Sequence, residues 1–209
     1  MNSNKIIISG FGSIGRKYLR TIREHYPNYK IGILRSGFGK VYDEEKFAEK
    51  IFFDISECLL WKPDYAIVSS PAPFHLDQAL YFAKEKIPLI IEKPICTVNY
   101  KINKITKLIA YSNNFPILVG YVLRHEKAFS KIKEWLDERI IGKPIRAHFE
   151  YGSWLPDWRQ DINFLTSVSA NKFLGGGVLY ELSHELDCML GIFGPSQILG
   201  ASFSNTGVF

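Results

Sequence analysis

The first half of the chain alternates short apolar runs with stretches in which apolar residues recur at helical spacing. The apolar runs occupy residues 6–8, 30–34, 65–68, 88–91 and 117–122. Consecutive apolar positions are typical of strands that are buried on both faces of a parallel sheet. Between the runs, stripes such as Ile14, Tyr18, Leu19 and Ile22 predict amphipathic helices. The pattern therefore predicts an α/β fold with a doubly wound parallel sheet.

The alternation stops after residue 122. Apolar side chains at positions 129, 132, 135, 136 and 140 predict an amphipathic helix over residues 127–140, and residues 145–154 follow as a long strand. Residues 197–204 are also strand-like. We therefore expect a first domain over residues 1–122 and a second domain over residues 123–209.

The first predicted strand joins the first helix through the turn Gly10-Phe11-Gly12-Ser13-Ile14-Gly15, which fits GxGxxG. In dinucleotide-binding turns the first glycine allows the bend, the second lets a pyrophosphate approach the main chain, and the third lets the helix pack on the strand. The free N–H groups at the helix start then face the anion. A plain strand–turn–helix corner is the alternative, but the flanking strand and helix favour a nucleotide site.

Arg35-Ser36 ends the second predicted strand, about 20 residues past the glycines, where an acidic residue binds the ribose 2′-hydroxyl of NAD. A guanidinium pairs with a 2′-phosphate instead, and the Ser36 hydroxyl and Gly37 amide add donors. The sequence therefore favours NADP over NAD as the cofactor. The alternative is a solvated surface arginine.

The loop after the predicted strand at residues 65–68 reads Ser69-Ser70-Pro71-Ala72-Pro73-Phe74-His75. Ligands of open parallel sheets lie beyond the carboxyl ends of the strands, so we expect Ser69, Ser70 and Pro71 to line a cofactor site. His75 stands at the start of the next helix. Two roles are open for it: contact with the cofactor, or capping and packing.

The next strand ends in Glu92-Lys93-Pro94. A lysine at the carboxyl end of a central strand places its ammonium where it stabilises a developing alkoxide or orients a hydroxyl. Proline directly after it prevents a helix and fixes the local backbone, with a cis bond as one option. The alternative is a surface lysine that pairs with Glu92.

Three glycines, residues 175–177, precede a helical pattern that runs to residue 193. They permit close backbone approach or a tight start to the helix. On that helix, Glu181, His184 and Cys188 fall within about 60° of one another, opposite the apolar stripe. If this face lines a cleft, His184 serves as a general acid–base that Glu181 orients. If it faces water, these are ordinary polar residues.

Composition limits the classes of protein that remain. With 209 residues, 46% of them hydrophobic, the chain can bury a substantial core, and no apolar run approaches the length of a membrane span. The first strand begins so early that we expect no signal peptide. Cys58, Cys96 and Cys188 lack metal or disulfide spacing, which favours reduced thiols in a cytoplasm and predicts no metal site. A net charge of +5, spread along the chain, disfavours nucleic acid as a partner.

Six motifs in order resemble the Gfo/Idh/MocA family of sugar-type oxidoreductases: G-F-G-S-I-G, S-S-P-A-P-F-H, I-I-E-K-P, V-G-Y-V-L-R-H, W-R at 158 and G-G-G-V-L-Y-E-L-S-H-E-L-D. The resemblance covers nearly the whole chain. E-K-P and the triple glycine with its histidine are specific for that family when they occur together.

The resemblance implies a Rossmann domain that binds NAD(P), followed by a partial α+β domain with an open, mainly antiparallel sheet through which homo-oligomers form. It further implies hydride exchange between nicotinamide and a carbinol of a sugar, cyclitol or sugar-derived substrate. Lys93 matches the lysine of the family's E-K-P motif, and His184 matches the histidine that transfers the proton. Arg124, Trp158 and Arg159 are then expected near the nicotinamide or the substrate. From charge and composition, neither nucleic acid nor a membrane is an expected partner.

Two features depart from the family pattern. Glu181 stands where the family has an aspartate, and it precedes the histidine by three residues instead of the commoner four, which leaves its role open. Family members also run on for roughly another hundred residues. We therefore expect either a fragment of a longer product or a shortened protein that folds without turnover. The alternative function is a non-catalytic dinucleotide-binding module that acts as a sensor or is a remnant.

Overall fold

A computed structural model describes residues 4–97, 102–158 and 163–204. Its contacts divide the chain into two compact units, Met1–Tyr121 with Ser153–Ser183 and Val122–Gly152 with His184–Phe209. Residues 153–183 thus belong to the first unit, whereas the sequence pattern assigns them to a second domain. The functional division into residues 1–122 and 123–209 stays a prediction.

The first unit is built on a parallel sheet that six strands form within the described residues. Its order is β3-β2-β1-β4-β5-β6, in which the chain starts at the centre, winds to one edge and then to the other. This arrangement confirms the predicted doubly wound parallel sheet. The strands are β1 (Lys5–Ser9), β2 (Lys30–Leu34), β3 (Lys50–Phe52), β4 (Tyr65–Val68), β5 (Leu89–Ile91) and β6 (Ile117–Val119).

Helices connect the strands and continue beyond them. They are α1 (Ser13–His25), α2 (Ile55–Leu60), α3 (His75–Lys84), α4 (Ile102–Ser112), α5 (Lys127–Asp137), α6 (Leu155–Trp158), α7 (Val178–Glu181) and α8 (His184–Phe193). Short 3₁₀ turns add Asp43–Phe47, Ala72–Phe74, Val122–His125, Phe164–Thr166, Val168–Ala170 and Lys172–Leu174. None of the described helices combines the length and the hydropathy that crossing a bilayer requires.

The sheet buries side chains on both faces, as the consecutive apolar runs predict. Ile7 of β1 points into a cluster with residues of α2, α3 and α4, whereas Ile8 points into a cluster with Leu19 and Ile22 of α1. Successive residues of a strand point to opposite faces, so a strand covered by helices on both sides must be apolar at every position. The core therefore sits in two layers, one on each side of the sheet.

The second unit contains α5, α8 and the turn Val122–His125, and its predicted strands are wrong. The structure forms no strand over residues 145–154 or 197–204, so the open, mainly antiparallel sheet is not found in the described part of the chain. A strand is defined by hydrogen bonds to a neighbour, and no described segment pairs with either stretch. Ile145 and Leu199 are accordingly almost fully exposed. An apolar pattern without a partner strand does not form a sheet.

Two adjacent phenylalanines provide a test of the core. Phe52 is fully buried and packs 5.7 Å from the ring of Trp61, whereas Phe53 is 66% exposed. We expect Phe52→Ala to lower the free energy of unfolding by about 3–5 kcal/mol, because it leaves a cavity in the core. Phe53→Ala should cost about 0.5 kcal/mol. Urea unfolding of both variants measures the difference, and equal losses would contradict this packing.

Candidate functional site

The turn after β1 is a close contact between main chains. Gly10 has φ +91° and donates its N–H to the carbonyl of Leu34 at 2.9 Å. A methyl group on Gly10 would lie 2.4 Å from the main chain of Ser70, and one on Gly15 would lie 2.2 Å from the Gly10 carbonyl oxygen. The first and third glycines of the turn are therefore required by the fold itself.

Gly12 differs from the other two glycines of the turn, because a methyl group there would meet nothing within 4 Å. Its main chain precedes α1, which carries no acidic side chain in its first turn. The helix start thus presents main-chain N–H groups and a positive dipole end to open space. This is the geometry that a bound pyrophosphate uses, and it fits such a group at Gly12.

Two cavities meet at this turn, at the carboxyl edge of the sheet. The larger, here called the β2 cavity, has a volume of about 610 Å³ and extends from Gly10 and Gly12 to Arg35 and Ser36. The smaller, the β5 cavity, has a volume of about 260 Å³ and extends from the same glycines to Lys93. Both include Phe11, Ser70, Pro71 and Leu174. The two cavities together offer an elongated site with the glycine turn at its middle.

Aromatic side chains line much of the β2 cavity. They include Phe38, Tyr42, Phe53, Phe74 and Tyr81. Flat apolar surfaces of this kind accept a planar heterocycle, while the nearby Ser36 hydroxyl and the main chain supply polar contacts. The cavity is therefore suited to the base and ribose of a nucleotide.

The side chain of Arg35 is largely buried at the end of β2, which excludes the alternative of a solvated surface arginine. Its side chain is 9% exposed and forms an ion pair with Glu45, which is equally buried. Its Nη2 also donates to the carbonyl of Lys40 at 2.7 Å. The guanidinium that borders the β2 cavity is therefore already paired with a carboxylate.

The serine loop after β4 is held against the glycine turn by side-chain hydrogen bonds. Ser69 Oγ donates to the Gly10 carbonyl oxygen at 2.9 Å, and Ser70 Oγ donates to Gln78 Oε1 at 2.7 Å. Ser9 Oγ donates to the same Gln78 oxygen at 3.0 Å. Sequence reasoning missed Gln78. The signal for it was a polar residue one turn beyond His75, on the buried face of α3.

His75 packs between two loops and is 2% exposed. Its Nδ1 lies 2.8 Å from the Pro94 carbonyl oxygen, and its Nε2 lies 2.5 Å from the Ser70 carbonyl oxygen. The ring therefore ties the loop after β4 to the loop after β5. The sequence leaves two roles open for His75, cofactor contact or packing, and these hydrogen bonds agree with packing. The residue also borders the β5 cavity.

Lys93 follows β5, and its ammonium is held by main-chain carbonyls. Nζ donates to the carbonyl oxygen of Glu181 at 2.6 Å and to that of Tyr180 at 3.4 Å. The Lys93–Pro94 peptide bond is cis, which was one option for this motif. Lys93 also lines the β5 cavity, and its ammonium has one donor beyond these two bonds.

Glu92 forms a hydrogen bond with Tyr18, whereas the sequence suggests Lys93 as its partner. Its carboxylate accepts a hydrogen bond from the hydroxyl of Tyr18 at 2.7 Å, and it packs beside Gly120. Burial and this carboxylate raise the pKa of Tyr18 above its ordinary value, so the phenol stays protonated and remains a donor. The sequence pattern assigns Tyr18 only to the apolar stripe of α1. The bond joins α1 to the end of β5.

The triple glycine allows a close approach, as expected. A methyl group on Gly175 would lie 2.9 Å from Cβ of Ala72 and from Cγ2 of Thr97, and one on Gly176 would lie 2.4 Å from the main-chain oxygens of residues 168 and 169. Gly177, at φ +114°, starts α7. Leu174, Gly175, Tyr180 and Glu181 of this segment line the β5 cavity.

The single helix predicted up to residue 193 is wrong. Leu182, with φ −107° and ψ 36°, ends α7, and α8 begins at His184. The last carbonyls of α7 accept hydrogen bonds from Lys93 and from the hydroxyl of Ser183, which replace the main-chain bonds of a continuing helix. Glu181 and His184 therefore do not share a helix face, and Glu181 meets Lys93 through its carbonyl.

The structure brings most of the predicted cofactor residues together and leaves others apart. The β5 cavity is lined, among others, by Gly10, Phe11, Gly12, Ser13, Ile14, Ser69, Ser70, Pro71, His75, Glu92, Lys93 and Glu181, and the β2 cavity adds Arg35 and Ser36. Trp158 ends α6 in the first unit but lines neither cavity. Arg159 lies outside the described residues.

Arg124 and His184 belong to the second unit. Arg124 forms a two-point ion pair with Asp187, in which Nε lies 2.7 Å from Oδ2 and Nη2 lies 2.8 Å from Oδ1. The pair stabilises the contact between the turn Val122–His125 and α8. Within the described residues, no cluster of His, Cys, Asp and Glu has the geometry of a metal site.

The sheet order, the glycine turn at its carboxyl edge and the elongated cavity define the class of NAD-binding Rossmann-fold proteins. Residues 4–121 match the family model GFO_IDH_MocA, described as an oxidoreductase family with an NAD-binding Rossmann fold. The match covers more than half of the chain. The chain belongs to this family.

Individual relatives are distant. Oxidoreductase P35 of Formosa agariphila is 26% identical over 62% of this chain and 40% of its own length, and an inositol 2-dehydrogenase of Rhodococcus jostii is 25% identical over 70% and 41%. A scyllo-inositol dehydrogenase of Lactobacillus casei, solved with NAD(H) and scyllo-inositol, superposes with a TM-score of 0.58 at 23% identity over 68% of this chain and 43% of that one. These matches span only part of the length of the relatives, and the structural likeness supports the fold.

The glycine turn generates a stability prediction. Gly10→Ala should lower the free energy of unfolding by about 3 kcal/mol or more, because the methyl group meets the Ser70 main chain at a positive φ. Gly12→Ala, with φ −81° and open space around it, should change it by less than about 0.5 kcal/mol. Urea unfolding of both variants tests this. A tolerated alanine at position 10 would contradict the close contact.

Proposed function

We propose that this chain carries the dinucleotide site and the Lys93 side of the active site of an NAD(P)-dependent oxidoreductase. The reaction is hydride transfer to or from a carbinol carbon of a sugar, cyclitol or sugar-derived substrate. The observation that carries the proposal is that Lys93 lines the same cavity as the glycine turn. The family supports the class of reaction, and the inositol dehydrogenases among the relatives support a polyhydroxylated substrate.

The dinucleotide is assigned to the two cavities by their chemistry. The pyrophosphate fits the open main chain at Gly12, and the adenosine fits the aromatic β2 cavity. The β5 cavity then takes the nicotinamide end. When bound, the nicotinamide supplies the acceptor or donor of hydride, which no side chain of the protein can supply.

Lys93 acts on the substrate oxygen in this proposal. Its ammonium keeps a fixed direction because the Glu181 carbonyl holds it at 2.6 Å. A fixed positive charge beside the carbinol stabilises negative charge that develops on that oxygen. His184 is proposed, from its match to the family's histidine, to exchange the hydroxyl proton. No role is proposed for the Glu181 carboxylate as an orienting group.

The location of the protein, its oligomeric state and its preferred cofactor are also proposals. The free thiols of Cys58 and Cys188 support a cytoplasmic location. Homo-oligomers are proposed from the family resemblance. The preference for NADP over NAD depends on Arg35, whose guanidinium borders the β2 cavity. That preference stays a prediction, because Glu45 shares the same guanidinium.

Dinucleotide binding is tested by a substitution that fills the open space at the turn. Gly12→Val should weaken NADH and NADPH binding at least about tenfold, because its side chain occupies the position of the pyrophosphate. Titration of reduced-nicotinamide fluorescence measures both dissociation constants. Ser196→Val, at an exposed site that borders neither cavity, is the control and should bind like the wild type. Unchanged binding by Gly12→Val would reject the site.

Catalysis is tested at Lys93. Lys93→Met should lower turnover on a panel of sugars and cyclitols at least about a hundredfold while cofactor affinity changes less than about threefold. Lys84→Met, which removes an exposed lysine at the end of α3, is the matched control. Initial rates with both cofactors provide the measurement. Cofactor binding by the wild type without turnover on any substrate would support the non-catalytic binding module instead.

A further inference from the structure

Arg35 and Glu45 form a buried ion pair at the border of the β2 cavity. Arg35 directly follows β2, and Glu45 lies in the turn Asp43–Phe47, ten positions further along. Each side chain is 9% exposed. In a partly desolvated site the two charges interact strongly, so the guanidinium and the carboxylate act on a ligand as a pair.

Both members of the pair are fixed by further hydrogen bonds. Glu45 Oε1 accepts the main-chain N–H of Tyr42 at 2.9 Å, and Arg35 Nη2 donates to the Lys40 carbonyl oxygen at 2.7 Å. The pair therefore ties the end of β2 to the chain that leads into the next turn. Breaking it to release the guanidinium would leave a buried carboxylate without its partner, which is costly.

We propose that Glu45 determines the choice between NADP and NAD by neutralising Arg35. The inference rests on the proposed function, since it concerns the ligand of that same site. A lone guanidinium at the end of β2 would attract the doubly charged 2′-phosphate of NADP, whereas a guanidinium with a bound carboxylate offers little net charge. Glu45 thus lowers the affinity for NADP relative to NAD.

The other charges nearby do not change this comparison. Arg16 lies 4.2 Å from the centre of the Tyr42 ring and pairs with Glu44 at 3.1 Å, and Arg20 pairs with the same Glu44 at 3.2 Å. Lys40 borders the β2 cavity and is present in every variant considered. Glu44→Gln is therefore a matched control, because this substitution removes one negative charge from the same turn and leaves the ion pair of Arg35 in place.

The experiment measures the ratio of the dissociation constants for NADH and NADPH by fluorescence titration. Glu45→Gln keeps an oxygen that accepts from Tyr42 and Arg35 but removes the charge. It should shift the ratio about tenfold toward NADPH. Glu44→Gln should leave the ratio within about twofold of the wild type, because Arg35 keeps its partner. An unchanged ratio in Glu45→Gln, or an equal shift in Glu44→Gln, would overturn the proposal.

The double variant Arg35→Gln/Glu45→Gln contains no uncompensated charge and keeps the proposal testable if Glu45→Gln does not fold. Its ratio should stay within about threefold of the wild type, because the pair contributes little net charge. A loss of NADPH selectivity of about tenfold or more would mean that Arg35 binds the phosphate in spite of Glu45, and would overturn the proposal. If the wild type binds neither cofactor, the proposed function itself fails. Binding of both, with a ratio that Glu45 does not affect, rejects only this inference.

Discussion

The contact between the main chains of Gly10 and Ser70 is the constraint on which the site depends. It joins the end of β1 to the loop after β4 at a separation that leaves no room for a side chain. Two neighbouring parallel strands deliver these loops to the same edge, so the site forms wherever the sheet forms. The main chain at Gly12, the proposed pyrophosphate site, is thereby positioned by the core of the sheet.

Side chains from several loops then turn this edge into one connected structure. Ser69 bonds to the glycine turn, Gln78 joins Ser9 to Ser70, and His75 connects the loops after β4 and β5. Three of these five hydrogen bonds join residues that lie 19 or more positions apart, and three use a main-chain carbonyl as acceptor. The network fixes the loop that carries Lys93 relative to the glycine turn, which is the preorganisation that the proposed role of Lys93 requires.

The sheet of the first unit could be predicted from the sequence because its strands are apolar at every position, a pattern that has few other interpretations. The strands expected beyond residue 144 could not, because a strand depends on a partner that local alternation does not reveal. The environment of Arg35 was also hidden. Its residue type favoured a phosphate contact, but the fold supplies Glu45, and no spacing rule in the sequence connects the two.

The break between α7 and α8 also depends on contacts that are distant in the sequence. Hydrophobic spacing continues through residues 179–193, so the pattern predicts one helix. The hydrogen bonds that end α7 come from Ser183 and from Lys93, which is 88 positions away from Glu181. A local pattern cannot contain that information. The residues that act on the ammonium were therefore found only in the folded chain.

The acceptor that orients Lys93 is a peptide oxygen, and every amino acid carries one. The direction of the ammonium is consequently insensitive to which side chain occupies position 181, provided that the path of the backbone is kept. Exchange of the glutamate for an aspartate leaves this acceptor in place. Variation at position 181 would then change the lining of the β5 cavity while the Lys93 ammonium keeps its acceptor.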